Sequence, residues 1–172
     1  MGVFDFPLSK LKTYEGINPK PADFEEYWER GLREIETIDP QVQLTPAAFH
    51  HPTLDCFDLT FTGARIHAKY VRPKKFSGRL PAVMRFHGYS GRAGDWTNHF
   101  AMASAGFAVA ALDVRGQGGL SVDVGGVKGN TLHGHIIRGL DDPDPDRLLY
   151  RDIFLDTALM TRIVSSFPEI DE

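Results

Sequence analysis

The apolar residues of this chain change their spacing from one segment to the next, and each spacing predicts a different element. Residues 1–20 show no regular period and predict an irregular arm. We expect its apolar side chains to hold the arm against the body of the protein: Phe4, Phe6, Leu8, Leu11 and Tyr14. From Pro21 onward, apolar residues recur at three- and four-residue steps, which predicts a helix over about 21–37.

The middle of the chain contains two kinds of strand pattern. The β-prone segments 56–61 and 66–71 are separated by residues 62–65, which predicts an antiparallel hairpin. Segments 80–86 and 107–112 are instead nearly continuous apolar runs, as in strands that are buried on both faces of a parallel sheet. A short helix that contains Trp96 and ends at Gly106 is predicted between them. The three elements therefore form a βαβ unit, for which we expect a right-handed crossover.

The last part of the chain begins with a long loop rich in Gly and Pro, from Asp113 to about residue 146. A strongly apolar helix over about 147–166 follows, and Pro168 closes it. Together the elements predict an α/β protein, in which an antiparallel hairpin leads into a mostly parallel sheet flanked by helices. We divide the chain into an N-terminal arm and helix, residues 1–40, and one structural unit, residues 41–172.

Composition and charge narrow the class of protein. The chain has 172 residues, of which 42% are hydrophobic and 24% are charged, as in a soluble globular domain. A net charge of −4, with 19 basic residues spread along the chain, predicts no nucleic-acid partner. The longest apolar run, residues 107–112, is far shorter than the ~20 residues that span a bilayer, so no membrane partner is expected. Because no signal-peptide pattern is visible and Cys56 is the single cysteine, we expect a cytoplasmic protein without an internal disulfide.

A glycine-rich segment directly after the first buried strand carries the clearest chemical signal. It reads His87-Gly88-Tyr89-Ser90-Gly91, and its glycines let the backbone turn sharply and leave N–H groups accessible. In an α/β-hydrolase, the loop at this place donates one N–H to the oxyanion hole of an acyl-transfer site, and Tyr89 is placed to supply it. The alternative interpretation is a glycine-rich strand–helix turn under an aromatic side chain, since such turns occur in many α/β folds.

Ser90 is the serine that comes nearest to a nucleophile pattern. The elbow pattern is Gly-x-Ser-x-Gly, but Arg92 stands where its second glycine belongs, and no other serine of the chain matches the pattern. Ser90 as a nucleophile, with His87 or His133 as its base, is therefore kept only as a third hypothesis.

A second glycine-rich segment, Arg115-Gly116-Gln117-Gly118-Gly119, follows the second buried strand. Loops at this end of a parallel strand face the usual ligand crevice. Ser121 stands where a dinucleotide fingerprint needs glycine, so no nucleotide cofactor is predicted. The Arg115 guanidinium and the Gln117 amide are suited to bind polar groups, but we favour a role of Arg115 in tying the loop to the body through backbone carbonyls.

Clusters of potential metal ligands are incomplete. His133-Gly134-His135 offers two imidazoles without a carboxylate or thiolate beside them. Prolines interrupt an acidic cluster that also lacks the glycine and glutamate of a calcium loop: Asp141, Asp142, Asp144 and Asp146. We interpret these segments, and His50-His51, as solvated loops, and we predict neither a metal nor another cofactor.

Several segments occur together in a known family. The chain resembles the acetyl xylan esterase and cephalosporin C deacetylase family, carbohydrate esterase family seven, along nearly its whole length. The resemblance is carried by segments Phe4–Leu8, Leu11–Tyr14, Asp23–Trp28, His87–Tyr89, Asp113–Gly118, Gly139–Asp142, Tyr150–Asp152 and Ser165–Asp171, and by Asp156. It implies a cytoplasmic, metal-free serine esterase of the α/β-hydrolase fold, often a hexamer, that removes acetyl groups from small acetylated sugars, xylo-oligosaccharides and cephalosporin C.

The same resemblance assigns roles to four residues of this chain. It implies that Tyr89 is the oxyanion-hole residue, that Tyr89 and Gly88 contact substrate, and that Arg115 and Gln117 support the site. In the family, a Gly-x-Ser-Gln-Gly elbow follows shortly after the equivalent of Asp171-Glu172, and the acidic and histidine members of the triad come later. No residue of this chain is therefore assigned to the catalytic triad.

The resemblance also predicts how the chain is stabilised. In the α/β-hydrolase topology, the strand after the last helix pairs beside strand 80–86, which otherwise has an open apolar edge. Exposing four large side chains of the last helix costs about 6–12 kcal/mol, comparable with the ~5–15 kcal/mol stability of a whole domain. We therefore expect that residues 1–172 are not a stable monomer and that their partner is the missing C-terminal half. Two functions remain open: the N-terminal half of an esterase, or a non-catalytic truncated homologue or interaction fragment.

Overall fold

The computed structural model describes residues 6–61, 65–123 and 135–171. Along the chain its helices and strands are α1 (Leu8–Leu11), α2 (Phe24–Glu36), β1 (Gln43–Pro46), β2 (Leu54–Phe61), β3 (Ile66–Pro73), β4 (Ala82–Arg85), α3 (Thr97–Ser104), β5 (Ala108–Asp113) and α4 (Leu149–Ser165). Two short 3-10 turns, His135–Ile137 and Pro145–Arg147, lie between β5 and α4.

The strands form one mixed sheet in the order β1-β2-β3-β5-β4. β2 and β3 pair antiparallel, with Phe61 opposite Ile66, which confirms the hairpin; residues 62–64 of its turn lie outside the described residues. β3 pairs antiparallel with β5, whereas β4 pairs parallel with β5 across the connection through α3. The predicted fold class is confirmed, because the hairpin leads into the parallel part of an α/β sheet.

Strand β5 lies at the centre of the core, and all six of its residues are buried. On one face of the sheet, Leu112 packs in a cluster with Leu149 and Met160 of α4. On the other face, Val109 packs in a second cluster with Ala103 of α3. A strand covered on both faces has no polar side, which explains why its sequence is a continuous apolar run.

Helix α2 packs against α4, and polar contacts fix the two helices side by side. Arg151 donates a hydrogen bond to Glu34 at 2.7 Å, and Arg162 donates one to the carbonyl of Ile35 at 2.8 Å. Gly31 of α2 lies so close to Leu155 that an added Cβ would be 3.0 Å from its side chain. The predicted helix over 21–37 is confirmed with slightly narrower bounds.

The N-terminal arm does not bury its apolar side chains, so the expectation that they hold it against the body is wrong for the described residues. Residues 6–26 are all exposed, and α1 buries no residue. The arm packs on itself instead. The rings of Phe6 and Tyr14 meet edge to face at 5.6 Å, and the Lys10 ammonium lies 3.8 Å from the centre of the Phe6 ring.

Strand β4 lies at the edge of the described sheet, and the chain returns to this edge after α4. Leu80 donates its N–H to the carbonyl of Glu169 at 2.7 Å, and Asp171 donates its N–H to the carbonyl of Leu80 at 2.9 Å. These bonds make a parallel bridge between Leu80 and Ile170. Residue 170 therefore occupies the strand position next to β4.

The chain exposes more surface than a compact protein of its size. Its accessible surface is 11066 Å², whereas a folded monomer of 19.2 kDa has about 8,400 Å². Several of the exposed apolar side chains lie near the carboxyl end of β4, among them Phe86, Tyr89 and Phe154. Neighbouring exposed apolar side chains of this kind mark a surface on which another element can pack.

Candidate active site

A cavity of about 550 Å³ opens where the parallel strands β4 and β5 end. The carboxyl ends of parallel strands are where α/β proteins usually bind ligands. The wall combines the segments after β4 and β5 with residues of α4 and one residue before it: Phe86, His87, Gly88, Tyr89, Val114, Gln117, Ile136, Tyr150, Ile153, Phe154 and Thr157. A mostly apolar wall with a few polar groups is typical of a site for a small molecule.

Residues 88–91 form a tight turn in this wall. The N–H of Gly91 donates to the carbonyl of Gly88 at 3.0 Å, and Ser90 has a φ of 59°. A positive φ at the third residue of a turn and not at the second is the pattern of a type II turn. Tyr89 is therefore the second residue of the turn; its side chain is 55% exposed and lines the cavity, as does Gly88.

The loop after β5 braces this turn from behind. Gln117, which is buried, accepts the N–H of Ser90 on its side-chain oxygen at 2.6 Å. Gly118 donates its N–H to the carbonyl of Gly91 at 2.9 Å. An added Cβ on Gly118 would lie 2.7 Å from the carbonyl oxygen of Ser90, so this close backbone approach requires glycine. The structure thus brings together the two glycine-rich segments found in the sequence.

The His87 ring is also part of the brace. Its Nε2 atom lies 3.0 Å from the N–H of Val114, which is a donor, so Nε2 is an unprotonated acceptor. Its Nδ1 atom therefore carries the proton and donates to the carbonyl of Gly88 at 2.8 Å. With both nitrogens engaged by the backbone, His87 has no nitrogen ready to take a proton from Ser90. His133, the other base considered for Ser90, lies outside the described residues.

Arg115 anchors the same loop to α4, through partners that differ from those expected. Its Nε and Nη2 atoms each donate to Asp156 at 2.7 Å, and Nη1 donates to Asp152 at 3.0 Å. Burial lowers the pKa of the Arg115 guanidinium, but the paired carboxylates outweigh burial and raise it. The expected anchoring through backbone carbonyls is thus corrected, because a planar guanidinium matches a carboxylate with two parallel hydrogen bonds.

A buried polar network lies beneath both loops. Asp113, the last residue of β5, accepts the N–H groups of Ala93 at 2.6 Å and Leu120 at 3.0 Å, and it contacts His67 Nδ1 at 2.8 Å. The other ring nitrogen of His67 lies 2.8 Å from Asp58. Because carboxylates only accept hydrogen bonds, both nitrogens of His67 carry protons and the ring is an imidazolium.

The pKa shifts in this network agree with the charged forms. Burial raises the pKa of Asp113, but the hydrogen bonds from His67, Leu120 and Ala93 outweigh burial and lower it to about 2. Burial lowers the pKa of His67, and its hydrogen bonds with Asp113 and Asp58 outweigh that effect and raise it. The sequence prediction missed this network, because its members come from three different strands.

The metal-ligand candidates form no metal centre in the part of the chain that the structure describes. No group of three or more His, Cys, Asp or Glu side chains there is arranged around a common point. His133, Gly134 and the side chain of His135 lie outside the described residues. Asp142 and Asp144 accept backbone N–H groups two residues further on, at 2.9 and 3.0 Å, as in ordinary Asx turns.

Across the described ranges, every helix is too short or too polar to cross a bilayer.

A family model and two solved structures that match this chain all point to the same family. The chain matches the family model for acetyl xylan esterase (AXE1) over residues 1–172. It is similar to the crystal structure of acetyl xylan esterase 1 from Thermoanaerobacterium sp. JW/SL YS485, with 56% identity and a TM-score of 0.89, covering 98% of this chain and 53% of that chain. It is also similar to an acetyl xylan esterase from Paenibacillus sp. R4, with 29% identity and a TM-score of 0.80, covering 96% of this chain and 54% of that chain. The chain therefore spans about half the length of both structures.

Proposed function

The chain belongs to the acetyl xylan esterase family, and from that membership we propose that it forms the oxyanion wall of an ester hydrolase. The proposed substrates are small acetylated esters, such as xylo-oligosaccharides and cephalosporin C, from which the enzyme removes acetyl groups. The observation that carries the proposal is the position of Gly88 and Tyr89 on the wall of the cavity where β4 and β5 end.

In the proposed reaction, the backbone N–H of Tyr89 stabilises the negative oxygen that develops when a nucleophile attacks the acetyl carbonyl. Such a donor is effective when its position is fixed before the substrate arrives. The hydrogen bonds of Ser90 with Gln117 and of Gly118 with Gly91 supply that rigidity. Beside the donor, an added Cβ on Gly88 would meet no atom within 4 Å, which leaves room for a small acyl group.

The nucleophile in this proposal comes from a strand that continues beyond Ile170 next to β4. The parallel bridge between Leu80 and Ile170 supports this placement, as does the position of β4 at the sheet edge. Parallel strands advance together, so the continuing strand draws level with Tyr89 about nine positions after Ile170. A serine on a sharp turn near that point would face the cavity.

Exchange of the Tyr89 side chain tests whether the backbone or the phenol of this residue acts. In the enzyme completed by its C-terminal half, Tyr89→Phe is expected to keep most of kcat, because the N–H remains. Steady-state kinetics on an acetyl ester measure the effect. A loss of about 10²–10³-fold, as for a deleted oxyanion donor, would move the role from the amide to the hydroxyl.

A further inference from the structure

Asp113 contacts both loops that form the cavity wall, although the reaction proposed above does not use it. One carboxylate oxygen accepts the N–H of Ala93 at 2.6 Å, in the loop that joins β4 to α3. The other accepts the N–H of Leu120 at 3.0 Å, in the loop that follows β5. Gly119 packs so closely on this carboxylate that an added Cβ would overlap it. A single buried side chain therefore connects the two loops.

His67 fixes the direction of the Asp113 carboxylate. Its ring is 6% exposed and lies between Asp113 and Asp58, with 2.8 Å to each. Its backbone N–H donates to the hydroxyl of Ser121 at 2.8 Å, which ties the second loop to β3 as well. The His67 imidazolium compensates the buried negative charge of Asp113. The Asp113 carboxylate can accept all three of its hydrogen bonds in one orientation only.

We propose that Asp113, oriented by the His67 imidazolium, is a positioning residue that sets the spacing of the two loops and thereby the place of the oxyanion turn. Asp113 does not line the cavity; it acts through the N–H groups of Ala93 and Leu120. The inference rests on the proposed function, since the place of the turn matters for rate only if the Tyr89 amide meets the substrate.

Asp113→Asn is the sharpest test, because it keeps the shape of the side chain and changes one acceptor into a donor. Each oxygen of Asp113 faces a backbone N–H. In either orientation of the amide, one of these N–H groups loses its acceptor. In the enzyme completed by its C-terminal half, hydrogen exchange, resolved to single amides, is expected to speed up about tenfold or more at Ala93 or Leu120.

Activity provides the second readout, in the enzyme completed by its C-terminal half. Misplacing a reacting group by about 1 Å costs on the order of 10²-fold in rate. We therefore expect Asp113→Asn to lower kcat by up to about 10²-fold while KM stays within about threefold, since a transition-state contact is lost and ground-state binding is kept. A residue that served only the stability of the fold would leave kcat unchanged in the folded variant.

Asp58→Asn is the matched control, because its amide oxygen still accepts from His67 Nε2, which keeps the imidazolium and all three contacts of Asp113 in place. It is expected to leave kcat and the exchange at Ala93 and Leu120 nearly unchanged. A folded Asp113→Asn variant with unchanged exchange and kcat would overturn the inference, and so would an equal loss of kcat in Asp58→Asn.

Failure of the proposed function and failure of the Asp113→Asn variant to fold can each be distinguished from failure of this inference. If the completed wild-type enzyme hydrolyses no acetyl ester, the proposed function fails, whereas the exchange data still decide whether Asp113 holds the loops. If Asp113→Asn does not fold, exchange is measured in the completed wild-type enzyme only. Slow exchange at Ala93 and Leu120, comparable with that of β5, then supports the inference, and fast exchange at both amides contradicts it.

Discussion

Residues 1–172 alone are expected to hydrolyse acetyl esters no faster than buffer, and a C-terminal esterase half is expected to raise the rate about 10⁶-fold or more. The reason is that the cavity wall is present in this chain, but the group that would form the acyl-enzyme is not assigned to any of its residues. Initial rates with 4-nitrophenyl acetate and with an acetylated xylo-oligosaccharide measure the effect. The part of the Thermoanaerobacterium esterase that this chain does not cover is a suitable second half.

Two serine variants serve as controls in this assay. Alanine in place of the elbow serine of the added half should abolish hydrolysis, whereas Ser90→Ala in this chain should not affect it. Hydrolysis by residues 1–172 alone that disappears in Ser90→Ala would contradict the account and make Ser90 the nucleophile. Absence of activity both with and without the added half would instead favour a non-catalytic fragment.

Tyr89→Pro is expected to lower kcat of the completed enzyme by about 10²–10³-fold, the usual cost of removing one oxyanion donor. Proline has no backbone N–H, so the substitution deletes the proposed donor itself. The turn should survive, because Tyr89 is the second residue of a turn closed by Gly88 and Gly91, and proline is favoured at that position of a type II turn. Steady-state kinetics and a thermal melt separate the loss of activity from a loss of stability.

Tyr89→Ala is the matched control for the proline variant. It removes the same side chain but keeps the N–H, so its kcat should stay well above that of Tyr89→Pro. Equal losses in the two variants would assign the role to the side chain and remove the backbone amide from the proposed reaction.

The strands of the core could be predicted because the spacing of apolar residues along the chain reflects which faces of a strand are buried. β5 is covered on both faces, and its run from Ala108 to Leu112 contains no polar residue. The neighbouring run, residues 80–86, forms a shorter strand, Ala82–Arg85, in which the first three residues are partly buried and Arg85 is exposed. Its apolar character fits a strand that is paired along both edges. In the described sheet β4 has one neighbouring strand, β5, and its other edge is met only by the single bridge between Leu80 and Ile170.

Strand β1 could not be predicted from the same patterns. Pro40, Pro46 and Pro52 break up this part of the sequence, yet Gln43–Pro46 pairs with β2 at the edge of the sheet. An edge strand has one side without a ladder, so a proline at its end costs no hydrogen bond that the strand needs. All four residues of β1 are exposed, and their sequence therefore carries no burial pattern.

The location of the candidate site followed from the sequence, but its internal bracing did not. Gly88 and Tyr89 lie on the cavity wall because they belong to the segment that follows a strand of the parallel part of the sheet. The contact of Ser90 with Gln117 joins residues 27 positions apart, that of Arg115 with Asp156 joins residues 41 apart, and that of His67 with Asp113 joins residues 46 apart. Such contacts depend on the folded topology, so the local spacing of residues in the sequence does not predict them.

The most direct test of the oxyanion wall is a crystal structure of the completed enzyme with a phosphonate bound covalently to its nucleophile. The phosphonyl oxygen imitates the negative oxygen of the tetrahedral intermediate. We expect that oxygen in the cavity beside Gly88, about 2.7–3.1 Å from the backbone nitrogen of Tyr89. An oxygen held by other donors, with the Tyr89 N–H turned away from it, would contradict the role assigned to this chain.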